Sequence, residues 1–166
     1  MDLTIRKMCE NDFEPLFELL SNERAMRYIE PPYTEEKAAS FLKTAALSDP
    51  PLIYAVERDG HFIGYIIFHD YDESSMEIGW VLHPSYWGMG CASSLTAQLI
   101  DRCQSLGKQA VMECAPEQEV TKHIAQKYGF AYIGNEDGLD VFRRGDSLPL
   151  KGKAQEDRAP IFEPEI

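Results

Sequence analysis

The sequence predicts an α/β fold of the α+β kind: one mixed sheet with helices packed on it, in a single domain. Three observations predict it. Apolar residues recur at helical spacing near the N-terminus and again after residue 88. Between those stretches, residues 52 to 83 form three strand-like runs, two of them separated by Asp59-Gly60, a hairpin signal. The third run enters a loop with two glycines, and a helix pattern opens at once. At 166 residues, 44% hydrophobic and 27% charged, the chain has the size and mixture of one soluble domain with a real core.

Leu3 to Arg6 reads as the opening strand. Asn11 with Glu14 three later has the form of a capping box, and Phe13, Leu16, Phe17 and Leu20 follow as a helical stripe. Ser21-Asn22 ends that helix, and Arg24 to Ile29 is a short second piece stopped by Pro31-Pro32. Thr34 caps a third, striped by Ala38, Phe41, Leu42 and Ala45 and broken at Pro50-Pro51. Leu52 to Glu57, His61 to His69 and Met76 to His83 are the central strands. From Gly88 the period changes, and Ala92, Leu95, Leu99, Cys103 and Leu106 line one helical face up to Gly107. Gln109 to Cys114 is a strand, Glu117 to Tyr128 a helix, and Phe130 to Ile133 and Leu139 to Phe142 the closing strands. The domain is expected over 1–145. Residues 146–166, with three prolines and mixed charge, read as a flexible tail.

A formal charge of −12, from 28 acidic against 16 basic residues, argues against nucleic acid as a partner. The N-terminus lacks the basic and apolar regions of a secretion signal. The longest apolar run, Phe62 to Phe68, is far short of the roughly 20 residues that span a bilayer, so no membrane partner is expected. Cysteines 9, 91, 103 and 114 have neither disulfide nor zinc-site spacing. The expected state is cytoplasmic, reduced and metal-free, as a monomer or homodimer.

The stretch Met76-Glu77-Ile78-Gly79-Trp80-Val81-Leu82-His83-Pro84-Ser85-Tyr86-Trp87-Gly88-Met89-Gly90-Cys91-Ala92 carries the chemistry. Glycines let backbone approach a ligand closely, and the first amides of a helix lack intrahelical acceptors, which suits a phosphate. No Lys-Ser or Lys-Thr follows the glycines, so this is no P-loop. The late position of the strand, and the lack of an acidic residue about 20 residues on at the end of a second strand, speak against a dinucleotide fingerprint. A phosphate-bearing cofactor held by amides without metal remains.

The pattern Pro84-x-Tyr86-Trp87-Gly88-x-Gly90-x-Ala92, preceded by Glu77-Ile78-Gly79-Trp80, resembles the acetyl-CoA motif of the GNAT N-acetyltransferase superfamily. The branch it is most similar to contains the ribosomal-protein N-terminal alanine acetyltransferases. Met26-Arg27-Tyr28-Ile29 before Pro31-Pro32 and Lys127-Tyr128-Gly129-Phe130 extend the resemblance over residues 2 to 143. It departs from the superfamily's usual pattern at Gln118 and Thr121, where Asn and Ser are common, and at Ala125, where many members carry Tyr.

The resemblance implies a single GNAT-like acyl-CoA N-acyltransferase domain with acetyl-CoA as co-substrate. Trp87, Gly88, Met89, Gly90, Cys91 and Ala92 would bind the pyrophosphate, and Trp80, Val81 and Leu82 would pair with the pantetheine arm. Gln118 would meet the cofactor from the last helix. A main-chain N–H of Val81 or Leu82 would polarise the thioester carbonyl. Glu77 is the candidate general base, because it interrupts an apolar run in phase with Gly79 and Val81. Thr121 and Tyr128 are the candidate donors to the leaving thiolate. His69 and His83 stand at strand ends as lesser base candidates, and Lys122 and Lys127 as candidates for the adenosine 3′-phosphate. The acceptor would be a primary amine, of a small molecule or a protein N-terminus, and the acidic charge weakly favours a cationic one. A catalytically silent CoA-binding or interaction module on the same fold is the alternative reading.

Overall fold

The computed structural model describes residues 2–145, and the expected tail lies outside them. Seven strands form one sheet in the order β1-β2-β3-β4-β5-β7-β6. They are β1 (Leu3–Arg6), β2 (Ile53–Arg58), β3 (His61–Asp72), β4 (Ser75–Leu82), β5 (Gln109–Cys114), β6 (Ala131–Glu136) and β7 (Leu139–Arg144). Every pairing is antiparallel except β4 with β5. Helices α1 (Phe13–Leu20), α2 (Glu23–Met26) and α3 (Glu35–Phe41) cover one face, and α4 (Cys91–Ser105) and α5 (Glu119–Lys127) the other.

Strand alternation makes these layers. In β4, Met76, Ile78 and Leu82 are buried among Leu95, Leu99 and Cys103 of α4 and Ala125 of α5. Val81 points the other way, into a second core with Leu16, Leu20, Ala38, Tyr65 and Ile53. Leu95 and Leu99 are fully buried, and each such side chain contributes about 2 kcal/mol of transfer free energy. The hairpin between β2 and β3 turns at Asp59 and Gly60, both with positive φ, and β6–β7 repeats this at Asp137 and Gly138.

The structure redraws some boundaries. The capping box is formed by Cys9 and Asp12 rather than Asn11 and Glu14, with the Cys9 amide donating to Asp12 Oδ2 at 2.8 Å. Asp12 is recruited there because it also receives two bonds from the Arg6 guanidinium, each 2.8 Å. Asn22, expected to end α1, instead caps α2, accepting from the Ala25 amide at 3.0 Å. Thr34 caps α3 as expected, through the Lys37 amide at 3.2 Å. The helix continues past Phe41 as a wider π-helical turn, Leu42–Ala46. β3 runs on to Asp72, beyond the end of β2, because β4 supplies it with a partner over its whole outer half.

Candidate functional site

β4 and β5 are joined over only three residue pairs, Ser75↔Gln109, Met76↔Ala110 and Glu77↔Val111. Beyond Glu77 the two strands part, while β4 stays paired to β3 as far as Leu82. Residues 78–82 therefore offer a strand edge on the β5 side with no ladder partner among the described residues. Gly64 of β3 sets how closely the two strands approach. Its φ is +156°, and a Cβ there would lie 2.1 Å from the Val81 carbonyl oxygen.

The open edge runs into the glycine loop. A 3-10 turn over Pro84–Tyr86 is capped by His83, whose Nδ1 accepts the Ser85 amide at 3.2 Å. Trp87 then folds back, its indole N–H donating to the Leu82 carbonyl at 2.9 Å, while the Arg24 guanidinium lies 5.2 Å from its ring centre. Gly88 and Gly90 both hold positive φ, at +75° and +83°. Gly90 is the N-cap of α4, and the first helical bond runs from Ser94 to its carbonyl. The amides of Cys91, Ala92 and Ser93 thus have no acceptor within the helix. Space is open where a Cβ of Gly88 would stand. Met89 is exposed and its sulfur accepts from Arg58; Cys91 is buried beneath the cradle.

Ser93 draws two residues of α5's end to this turn. Lys127 Nζ donates to Ser93 Oγ at 2.8 Å, and the Tyr128 hydroxyl lies 2.9 Å from the same oxygen and donates to the Ser93 carbonyl at 3.0 Å. A cation is thereby held beside the free amides of α4. Lys122 faces elsewhere, in an ion pair with Asp140 at 3.1 Å. Gln118 precedes α5 without a side-chain cap, and Thr121 is buried in its first turns.

Glu77 is the last residue of β4 held to β5, at the apex of the gap. It is half-buried on the face of α1–α3, whereas Thr121 and Tyr128 lie on the α4–α5 face. The sequence candidates therefore sit on opposite sides of the sheet, in reach of one another only through the gap. Burial raises the Glu77 carboxyl above its ordinary value; nearby His69 opposes this and Glu113 on β5 adds to it. His69 Nε2 is 3.7 Å from Glu77 Oε2. His83 is placed at the other end of β4, 3.6 Å from Glu18. Ser93 and Glu113 escaped the sequence reading, since each meets its partners only through pairings 20 residues or more away.

The described residues hold no group of three or more His, Cys, Asp or Glu suited to a metal ion. None of their helices is long and apolar enough to cross a membrane. Their four cysteines are free thiols, and burial pushes Cys103 up to about 12 and Cys114 up to about 11.

Comparison with known proteins bears on this arrangement directly. The model of the acetyltransferase (GNAT) domain family matches residues 2–131. The uncharacterized N-acetyltransferase YnaD of Bacillus subtilis (strain 168) is 29% identical over 138 residues, 80% of this chain and 81% of that protein. An acetyltransferase of the GNAT family from Bacillus anthracis superposes with a TM-score of 0.77 at 24% identity, covering 89% of this chain and 97% of that one. The spermidine N-acetyltransferase of Vibrio cholerae, in complex with CoA and spermine, does so with 0.69 at 23% identity, covering 85% and 92%. The two structural likenesses show a shared fold, and the family match spans the cradle, the open edge and Glu77 together. The chain belongs to the GNAT acetyltransferase family.

Proposed function

We propose that this protein transfers an acetyl group from acetyl-CoA to a primary amine by direct attack of the amine on the thioester. The observation that carries this is the parting of β4 from β5 at Glu77, with an open strand edge leading into a helix start whose amides are free. An extended pantetheine arm fits the edge at Trp80, Val81 and Leu82 as an added strand would. The pyrophosphate fits the loop from Trp87 to Ala92, with Lys127 as the neighbouring cation. Trp87 already donates to the Leu82 carbonyl, so the arm's best free partners are the other polar groups along the edge.

The site's own residues then supply proton handling. An alkylamine of pKa about 10.4 is mostly protonated at pH 7 and must lose a proton before it attacks. Glu77 stands at the apex of the gap, and its raised pKa brings it nearer to the operating range of a general base. An N–H of Val81 or Leu82 on the open edge is suited to bonding the thioester oxygen as charge develops there. For the leaving thiolate, Tyr128 carries a hydroxyl already bonded to Ser93, and Thr121 one that is buried. Tyr128 is the better placed of the two, since Ser93 lies in the first turn of α4.

The acceptor side carries Glu77 and Glu113, which supports a cationic amine within the chain's net charge of −12. Thiol release from acetyl-CoA, measured with spermine, alaninamide, an alanine-initiated peptide and an aminoglycoside, tests the proposal. Release with at least one amine, saturating in both substrates, is the expected result. The engaged Tyr128 hydroxyl favours the second reading, a silent CoA-binding module. Thermal stabilisation by acetyl-CoA with no thiol release for any amine would establish it.

A further inference from the structure

His69 of β3 is the cross-strand neighbour of Glu77. Its Nδ1 lies 2.9 Å from the Asp70 carbonyl oxygen. A carbonyl only accepts, so Nδ1 carries a hydrogen. In the neutral ring Nε2 is then bare, and Nε2 is the nitrogen that faces Glu77 Oε2 at 3.7 Å. Two acceptors gain nothing from facing each other. A proton between them makes the pair favourable, either as imidazolium with carboxylate or as imidazole with carboxylic acid. The backbone of Asp70 thus fixes a tautomer that leaves His69 able to take a proton from Glu77.

We propose that His69 is a positioning residue for acetyl transfer, holding Glu77 at the apex of the gap and accepting at Nε2 the proton Glu77 removes from the acceptor ammonium. This rests on Glu77 being the base. The balance is simple. The ammonium gives its first proton to Glu77, Glu77 passes it to His69, and the partly exposed ring releases it to solvent. The neutral amine then forms the N–C bond as the C–S bond breaks, and its second proton meets the thiolate. Separation at 3.7 Å is an ion-pair distance, so the transfer needs a shortening of under an ångström or one bridging water.

The surrounding charges leave this path to His69. Glu113 of β5 acts on Glu77 as a like charge and cannot relieve it of a proton while ionised. The Tyr71 hydroxyl donates to Glu136 of β6 at 3.3 Å. Arg143 of β7 is held by Gln109 at 2.8 Å and Asp72 at 2.9 Å, with its guanidinium 5.9 Å from the Tyr71 ring centre. The Asp70 side chain is on the exposed end of His69's own strand.

Nitrogen-15 spectra of the imidazole rings in the unliganded full chain test the first half. The expected result is the Nδ1–H tautomer for neutral His69, assigned by its loss in His69→Asn, and a Glu77 carboxyl that titrates at higher pH in that variant. The Nε2–H tautomer would overturn the proposal whether or not any amine is turned over. Kinetics test the second half, with spermine and alaninamide as acceptors. His69→Asn keeps a donor for the Asp70 carbonyl but lacks Nε2. Its kcat/KM is expected to fall about tenfold or more at pH 7.5, with its acid limb moved to higher pH and partial rescue by added imidazole. Wild-type kcat/KM and pH profile in His69→Asn, beside an impaired Glu77→Gln, would overturn the relay alone. Full activity in Glu77→Gln would overturn the base and the relay together.

Discussion

Replacing Gly64 with alanine is the most direct probe of how the sheet presents the site. The new Cβ would lie 2.1 Å from the Val81 carbonyl oxygen and 2.8 Å from the Leu82 Cα. Both neighbours are backbone, so no side chain can swing aside. Reaching ordinary contact near 3.4 Å requires β3 and β4 to separate there by about 1.3 Å. Forced packing of this kind costs about 1–3 kcal/mol, and an alanine at φ +156° adds a similar amount of backbone strain. A total near 4 kcal/mol, the middle of that range, lowers Tm by roughly 8–16 °C in a domain of this size. The displacement falls on residues 81–82 of the open edge, so acetyl-CoA affinity should fall with it. Thermal unfolding by circular dichroism measures the first effect and titration calorimetry with acetyl-CoA the second. A Tm within 2 °C of wild type would refute the argument, because the strands would then have room that the structure denies them.

Other expectations concern charge. Lys127→Ala should weaken acetyl-CoA binding about fivefold by calorimetry, through loss of the cation beside α4's free amides, whereas Lys122→Ala, which breaks only the pair with Asp140, should leave it unchanged. Hydrogen bonds from Arg6 hold the Asp12 carboxyl below its ordinary value, so the stability this gives is full above the unfolded carboxylate pKa and is lost as pH falls through the folded one. Asp12→Asn should therefore lower Tm at pH 7, by about 2 kcal/mol of stability from a charged, buried cap, and the gap from wild type should narrow below pH 4. Glu77 has the opposite sign. Its raised pKa makes the ionised form costly to the fold, so Glu77→Gln should raise Tm at pH 8 and change it little at pH 4, measured by scanning calorimetry.

Much of the fold was legible because its signals are local. The period-2 runs, the Asp59-Gly60 turn and the stripe from Ala92 to Leu106 each depend on neighbours a few residues apart, and each element formed within a few residues of its expected bounds. Helix caps were read less well. Asp12 displaced the expected Asn11 because Arg6, on a separate strand, fixes its carboxylate, and a capping pattern in sequence does not reveal that partner. Of the candidate site, the glycine cradle and Glu77 were visible because glycines before a helix and a carboxylate inside an apolar run are unusual in themselves.

By itself, then, the sequence determined the elements, the Gly88–Gly90 loop with its helix, and a family pattern strong enough to name. The tertiary structure alone decided where β4 leaves β5, since that depends on a register between strands 34 residues apart. It also decided that Glu77 stands at that apex with His69 and Glu113, that Lys127 and not Lys122 reaches α4, and that the candidate acids lie across the sheet from the candidate base. Alternation along a strand tells which side chains share a face, but only the packing of helices tells which face each side chain meets.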